Sequence, residues 1–279
     1  MEGGGNMLQD LVDSGQFSLS ASLMPYVSSL IAAEQRSGKP LQTMSHEEIM
    51  DALSFNAKSY IVVSRRLRAC AAYAQWLQDR DFAAILDEIK PIDVNIEDGV
   101  GQLYPDYRAV WEKVKDCITG SHIPAITALL WLGLSVIDII NLMTDDIQLT
   151  QSSMVVRSNN NTYSSSDTLV IDVIKSYMAC GYREIVTRTG RITYQSISSD
   201  GHFLKKIELR MSNGYIPYNN KRVALDLKSK GIVPTDVNTS GKYWRLYSQG
   251  DEDVERHMTQ EEYYDLQTYK VWRKIFYGE

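Results

Sequence analysis

The chain has 279 residues, 44% of them hydrophobic and 23% charged, with a formal net charge of −6. That is room for two domains with separate cores and an ordinary balance for a globular protein. The composition excludes a disulfide framework, because Cys70, Cys117 and Cys180 are scattered and odd in number, and the four histidines show no ligand spacing for zinc.

No basic patch followed by an apolar run opens the chain, so the expectation is a non-secreted, cytoplasmic protein. The longest apolar run, Ile123 to Met143, is broken by Thr127, Gly133, Ser135, Asp138 and Asn141. Such a run suits buried helices better than a membrane span. Phosphate-cradling glycine loops, HExxH and GxSxG are absent, and no cofactor or metal is expected.

In chain order, the first sixteen residues are glycine-rich and predict a mobile tail. Phe17 to Ser37 reads as a helix stopped by "SGKP". Ser45 followed by Glu48 forms a capping box for the next helix. From Ala57 to Gln78, Val63, Leu67, Cys70, Ala74 and Leu77 fall on one helical stripe. Lys58, Arg65 and Arg68 fall near the opposite pole, with Arg66 closer to the flank of the stripe. Lys90 to Tyr107 mixes Pro, Gly and acids without period and reads as a linker.

Beyond it, Ala109 to Ile118 predicts a helix, and "SHIP" starts another with Ser121 as cap. Leu130, Leu134 and Ile137 are expected to be buried from their spacing. From Asp146 the period changes to two, so "DIQLTQSSMVVR" and "DTLVIDVI" read as strands separated by polar "SNNNTYSSS". A helix from Asp172 to Met178 is the alternative for the second of these. "TRTGRITYQSIS" reads as a short hairpin or loop. Asn219 to Lys230 is helical and stops at Gly231, and the aromatic-rich Tyr263 to Phe276 is helical as well.

Charge is distributed unevenly. Arg188 to Arg245 carries eleven Lys/Arg against four Asp/Glu, a local +7, and Lys58 to Arg68 carries four cations and no acid. Leu246 to Glu279 has four basic and eight acidic residues, a local −4. The overall negative charge therefore leaves two cationic stretches, the kind of footprint that nucleic acid selects.

Two motifs lie inside this frame. "LLWLGLSVIDIINLMTDDI" resembles the arginine box TGLRxSELxxLxxxDI of the tyrosine recombinases of the phage integrase type, with Gly133, Leu134, Asp138, Leu142, Asp146 and Ile147 in register. Ser135 stands where the family has its arginine. "YNNKRVALDLKSKGI" resembles the second box, HxxRHTFATxLxxxGI, with Arg222 on the arginine and Asn219 in place of the histidine. The resemblance covers about residues 17 to 250. It implies a mainly α fold with a small β-hairpin or sheet: a helical core-binding-like domain over 17–90, a linker over 91–107, and a recombinase-catalytic-like domain over 108–279 ending in an aromatic tail.

The family attacks a DNA phosphodiester with tyrosine, without metal or ATP. Two arginines stabilise the charge that builds on phosphate oxygens, and a hairpin lysine and a histidine move protons. Here the hairpin offers only Arg157, a poor proton donor. Losing an anion-stabilising donor such as the one Ser135 replaces costs roughly 2.7–4 kcal/mol. Trp244 lies near the family's second histidine or tryptophan position. No tyrosine falls in the expected stretch from Asp251 to Arg256, and Tyr247 and Tyr263 flank it.

The expectation is a catalytically silent integrase-like protein of a phage or mobile element that binds duplex DNA. Lys58, Arg65 and Arg68 would contact phosphates, together with Arg157, Lys205, Lys206, Lys221, Arg222 and Lys228. The alternatives are an atypical active recombinase, with Arg157 or Arg191 as the missing arginine, and an adaptor that docks or self-associates through the aromatic tail.

Overall fold

The computed structural model describes residues 7–187, 189–198, 201–207, 219–250 and 258–279. They form a mainly helical protein with two small antiparallel sheets, in agreement with the expected fold class. The chain divides into two compact units, one reaching Gln102 and reclaiming the C-terminal helix, the other beginning at Leu103.

The first unit contains α1 (Met7–Asp13), α2 (Met24–Ser37), α3 (His46–Ser54), α4 (Tyr60–Leu77), α5 (Arg80–Glu88) and α6 (Glu97–Val100). The predicted mobile tail is corrected for residues 7–16: Leu8 is buried, and its amide donates to the Glu34 carboxylate. Helix α2 starts at Met24, later than the sequence suggested, because Pro25 suits a first helical turn. The Ser45–Glu48 capping box forms as expected. Helix α4 is the hub, with Val63, Cys70 and Ala74 buried and Leu67 and Leu77 half-buried.

The predicted linker is structured in both units. Val94, Ile96 and Val100 are buried in the first, and Tyr104 and Tyr107 in the second. Gly99 explains part of this, since a Cβ there would lie 2.1 Å from the Ala57 carbonyl oxygen. Its apolar residues lack a clean period because they pack through short turns.

The second unit contains α7 (Tyr107–Val114), α8 (Ile123–Leu132), α9 (Val136–Asn141), β1 (Ile147–Leu149), β2 (Met154–Ser158), β3 (Asn161–Ser165), α10 (Thr168–Ala179), β4 (Tyr182–Val186), β5 (Ile192–Ser198), β6 (Lys206–Ile207), α11 (Asn220–Lys228) and α12 (Pro234–Gln249). The sheets run β1-β2-β3 and β4-β5-β6. Helix α8 is apolar on every side and is buried along almost its whole length, as a central helix must be. Helix α12 lies directly on it: a Cβ on Gly241 would sit 2.0 Å from the Trp131 carbonyl oxygen.

Three expectations are corrected in this unit. "DTLVIDVI" is helix α10, because Asp167 caps the amides of Leu169 and Val170, and Val170, Ile171, Val173, Ile174 and Tyr177 share a buried helical face. The polar spacer is a turn plus strand β3, with Asn159 and Asn160 both at positive φ in the tight hairpin. Leu130 and Leu134 are buried, but Ile137 is 57% exposed. Gly133, at φ 106, ends α8, and α9 restarts from Ser135 with its own phase.

The last helix, α13 (Gln260–Tyr277), packs in the first unit against α4 and α6, burying Tyr264, Thr268, Tyr269 and Trp272. The sequence reading placed this tail in the second domain. Its apolar face instead completes the first unit's core, where the Tyr60 amide donates to Thr268 Oγ1 at 3.1 Å.

Candidate nucleic-acid interface

Ser135 is committed to local structure. Its Oγ accepts the Asp138 amide at 3.1 Å and donates to Asp138 Oδ2 at 2.6 Å, while its own amide donates to the same oxygen at 3.0 Å. This capping box starts α9, and Asn159 of the hairpin donates to the other Asp138 oxygen. Two residues before this box, the guanidinium of Arg245 on α12 lies beside Gly133. It donates to the Trp131 carbonyl at the end of α8 and lies against Gly133 and the Tyr163 ring. Arg245 was not singled out from the sequence. Burial lowers its pKa, with Tyr163 opposing, and its role at a helix C-terminus is to satisfy an orphan carbonyl.

Asn219 is also a cap: its Oδ1 accepts the Arg222 amide at 2.9 Å and starts α11. Val223 and Leu227 are buried, whereas Lys221, Leu225 and Lys228 form an outward stripe of two cations around one apolar residue. Arg222 is exposed, and its Nε lies 3.9 Å from Asp226 one turn later. Asp226 accepts from the Nε2 of His122, which is 1% exposed at the start of α8. Burial first, then Arg183, push the His122 pKa down to about 4, against the pull of Asp226. His122 escaped the sequence reading because Asp226 is 104 residues away. Trp244 is half-buried, packs on the core of this unit and meets the Tyr247 ring at 6.0 Å.

Arg157 is exposed on β2 and, with Asn159, Asn160, Asn161 and Asp146, borders a polar recess of about 400 Å³. Arg191, the other alternative arginine, is exposed just before β5. Lys205 is turned inward: its ammonium donates to the carbonyls of Met178, at 2.6 Å, and Cys180, closing the end of α10. The side chain of Lys206 lies outside the described residues, as does the stretch from Asp251 to Arg256 where a tyrosine nucleophile was sought.

In the first unit the cationic face of α4 is smaller than the helical wheel suggested. Arg65 donates to Tyr26 Oη at 3.0 Å and pairs with Glu261 at 3.3 Å. Arg66 is buried and donates to the carbonyls of Leu53 and Phe55, at 2.8 and 2.7 Å, which ends α3. Lys58 is half-buried, and Arg68 is exposed. Tyr263 lies on α13 beside Tyr264, their rings 6.0 Å apart. Among the described residues, no cluster of three or more His, Cys, Asp or Glu could hold a metal ion, and no helix is long and apolar enough to cross a membrane.

No family model matches the chain, and no curated protein matches it. Among solved structures it is similar to the integrase of transposon Tn1549 in complex with a circular intermediate DNA. The identity is 14%, with 97% of this chain and 94% of that one covered and a TM-score of 0.35. A second complex of that integrase with circular intermediate DNA matches at 15% identity over 95% and 94% of the two chains, with a TM-score of 0.31.

Proposed function

We propose that this protein is a recombinase-like binder of duplex DNA that has lost strand cleavage. The observation that carries the reading is the use made of Ser135 and Asn219. At the two positions where the resemblance calls for arginine and histidine, both side chains serve as helix N-caps. A phosphodiester attacked by phenolate needs cationic stabilisation and a proton route. Two capping groups supply neither.

Binding is favoured by the outward Lys221 and Lys228 with the adjacent exposed Arg222, and by Arg68 and Arg157 on other exposed surfaces. Cations of this kind position a protein on phosphates without reading bases. Lys205 and Arg65 contribute less, because their charged groups already have protein partners.

The test has two arms. Duplex affinity should fall steeply with salt across unrelated sequences, since each phosphate neutralised releases counterions. On a nicked suicide substrate, a denaturing gel should show no protein–DNA adduct. Salt-independent affinity removes the binding half, and an adduct lost on Tyr247→Phe or Tyr263→Phe removes the silence.

A further inference from the structure

Beyond Val156 the first sheet continues as two strands only. Strand β1 pairs with β2 from Met154 to Val156, whereas β2 and β3 stay paired through Arg157–Thr162 and Ser158–Asn161 up to the turn. The root of this ribbon is fixed by burial, since Met154 and Val156 are both wholly enclosed in the core. Its tip is fixed by conformation and by one contact. Asn159 and Asn160 both hold the positive φ that a tight two-residue turn requires, and the Asn159 amide donates to Asp138 in the cap of α9.

Strand alternation sends Gln148, Arg157, Thr162 and Ser164 to the face away from the core, where all four are exposed and none is a carboxylate. At the turn Asn160 and Asn161 are exposed as well. Among the described residues, the side chains of Arg157, Asn160, Asn161 and Thr162 have no hydrogen-bond or ion-pair partner. The two carboxylates beside the ribbon are already in use. Asp138 caps α9 and holds Asn159, and Asp146 accepts the Met143 amide at 3.0 Å. A solvated surface usually intersperses charges of both signs. This one joins a single guanidinium to amides and hydroxyls, the groups that match base edges in the major groove.

We infer that the β2–β3 ribbon reads base edges in the major groove of a duplex, with Arg157 on a guanine and Asn160 and Asn161 on a neighbouring adenine. Arginine meets guanine O6 and N7 through two hydrogen bonds, and asparagine meets adenine N6 and N7 in the same way. A groove about 12 Å wide admits a two-stranded ribbon, and the part of the sheet beyond β1 is such a ribbon. Along it, residues on one face recur every ~6.8 Å, two steps of the ~3.4 Å rise between bases. The assignment rests on the duplex-binding reading and gives Arg157 a base in place of a phosphate.

The full chain is used to select duplexes from a random pool, and variants are then measured on the selected sequence and on an unrelated duplex at several salt concentrations. The selected sequence should carry a guanine next to an adenine. Arg157→Ala should reduce the preference for it by roughly 5- to 150-fold, the range of one lost bidentate base contact. The salt slope should stay as it was, whereas a lost phosphate contact would flatten it by about 0.9 on every sequence. Replacing the guanine by 7-deazaguanine, which lacks the major-groove N7, should weaken wild-type binding and leave Arg157→Ala unaffected. Hypoxanthine, which lacks only the minor-groove amino group, should leave both unaffected. Asn160→Gly combined with Asn161→Ala keeps the turn's positive φ and should relax the choice at the adenine alone.

Selection without any preference, or a preference that survives Arg157→Ala, overturns the ribbon's role and leaves duplex binding standing. A uniform loss with a flattened slope returns Arg157 to the phosphates and overturns the base contact. Sensitivity to hypoxanthine but not to 7-deazaguanine puts the contact in the minor groove and overturns the geometry. A chain that binds no duplex at all removes the DNA reading and the ribbon assignment together.

Discussion

Acid should weaken this protein through His122, by an amount that the structure allows to be worked out. The imidazole is buried at the start of α8, its Nε2 hydrogen-bonded to Asp226 of α11, with the charges of Arg183 and Arg222 acting on it. Burial and the two arginines outweigh the carboxylate, so its pKa falls from the ordinary 6.5 to about 4. The unfolded chain therefore takes up this proton first. The histidine's contribution to stability is complete above pH 6.5 and is lost progressively as pH falls toward 4. A fall from 6.5 to about 4, at ~1.4 kcal/mol for each pH unit, corresponds to roughly 3–4 kcal/mol. Urea unfolding at intervals from pH 7 to 4, for the wild-type chain and His122→Gln, isolates this contribution from the carboxylates titrating in the same range. The wild type should lose about 1.4 kcal/mol more per pH unit than the variant over the lower part of that window. Parallel profiles would refute the argument, because they would mean that His122 gains its proton as readily in the folded state as in the unfolded one.

Four further outcomes are expected. Gly241→Ala should destabilise by roughly 1–3 kcal/mol in chemical denaturation, although alanine favours helix, because its Cβ cannot fit against the Trp131 carbonyl without parting α12 from α8. Ser135→Arg should cost about 1 kcal/mol by removing the α9 cap and should yield no covalent DNA adduct on a nicked substrate. Arg66→Met should cost roughly 2 kcal/mol, since the buried Leu53 carbonyl and the part-buried Phe55 carbonyl lose a charged donor. Reversal of Lys221 and Lys228 to Glu should weaken duplex binding on unrelated sequences and flatten its salt dependence, with little change in Tm because both side chains are exposed.

Capping and burial were legible from the sequence wherever the controlling residues sit within a turn of each other. Ser45 and Glu48, the buried Val63, Cys70 and Ala74 of α4, and the stop at Gly231 are of this kind. The apolar α8 was visible too, since a helix hydrophobic on all sides has to be central. Helix α10 was misread because its β-branched residues imitate a strand, and the Asp167 cap that decides the matter is a single letter. Helix α12 was missed because Asn, Thr, Ser and Gly argue against a helix, and only packing on α8 makes Gly241 an advantage.

The fate of the charges belonged wholly to tertiary structure. A helical wheel puts Arg65 on the outward face, but it cannot supply Glu261, which arrives from 196 residues away. Nor can it show that Lys205 closes α10 or that His122 braces Asp226. Local sequence determines which backbone groups need partners and which face is apolar, because those demands arise within a few residues. Which charges remain available to a ligand depends on distant segments meeting, and only the folded chain brings them together.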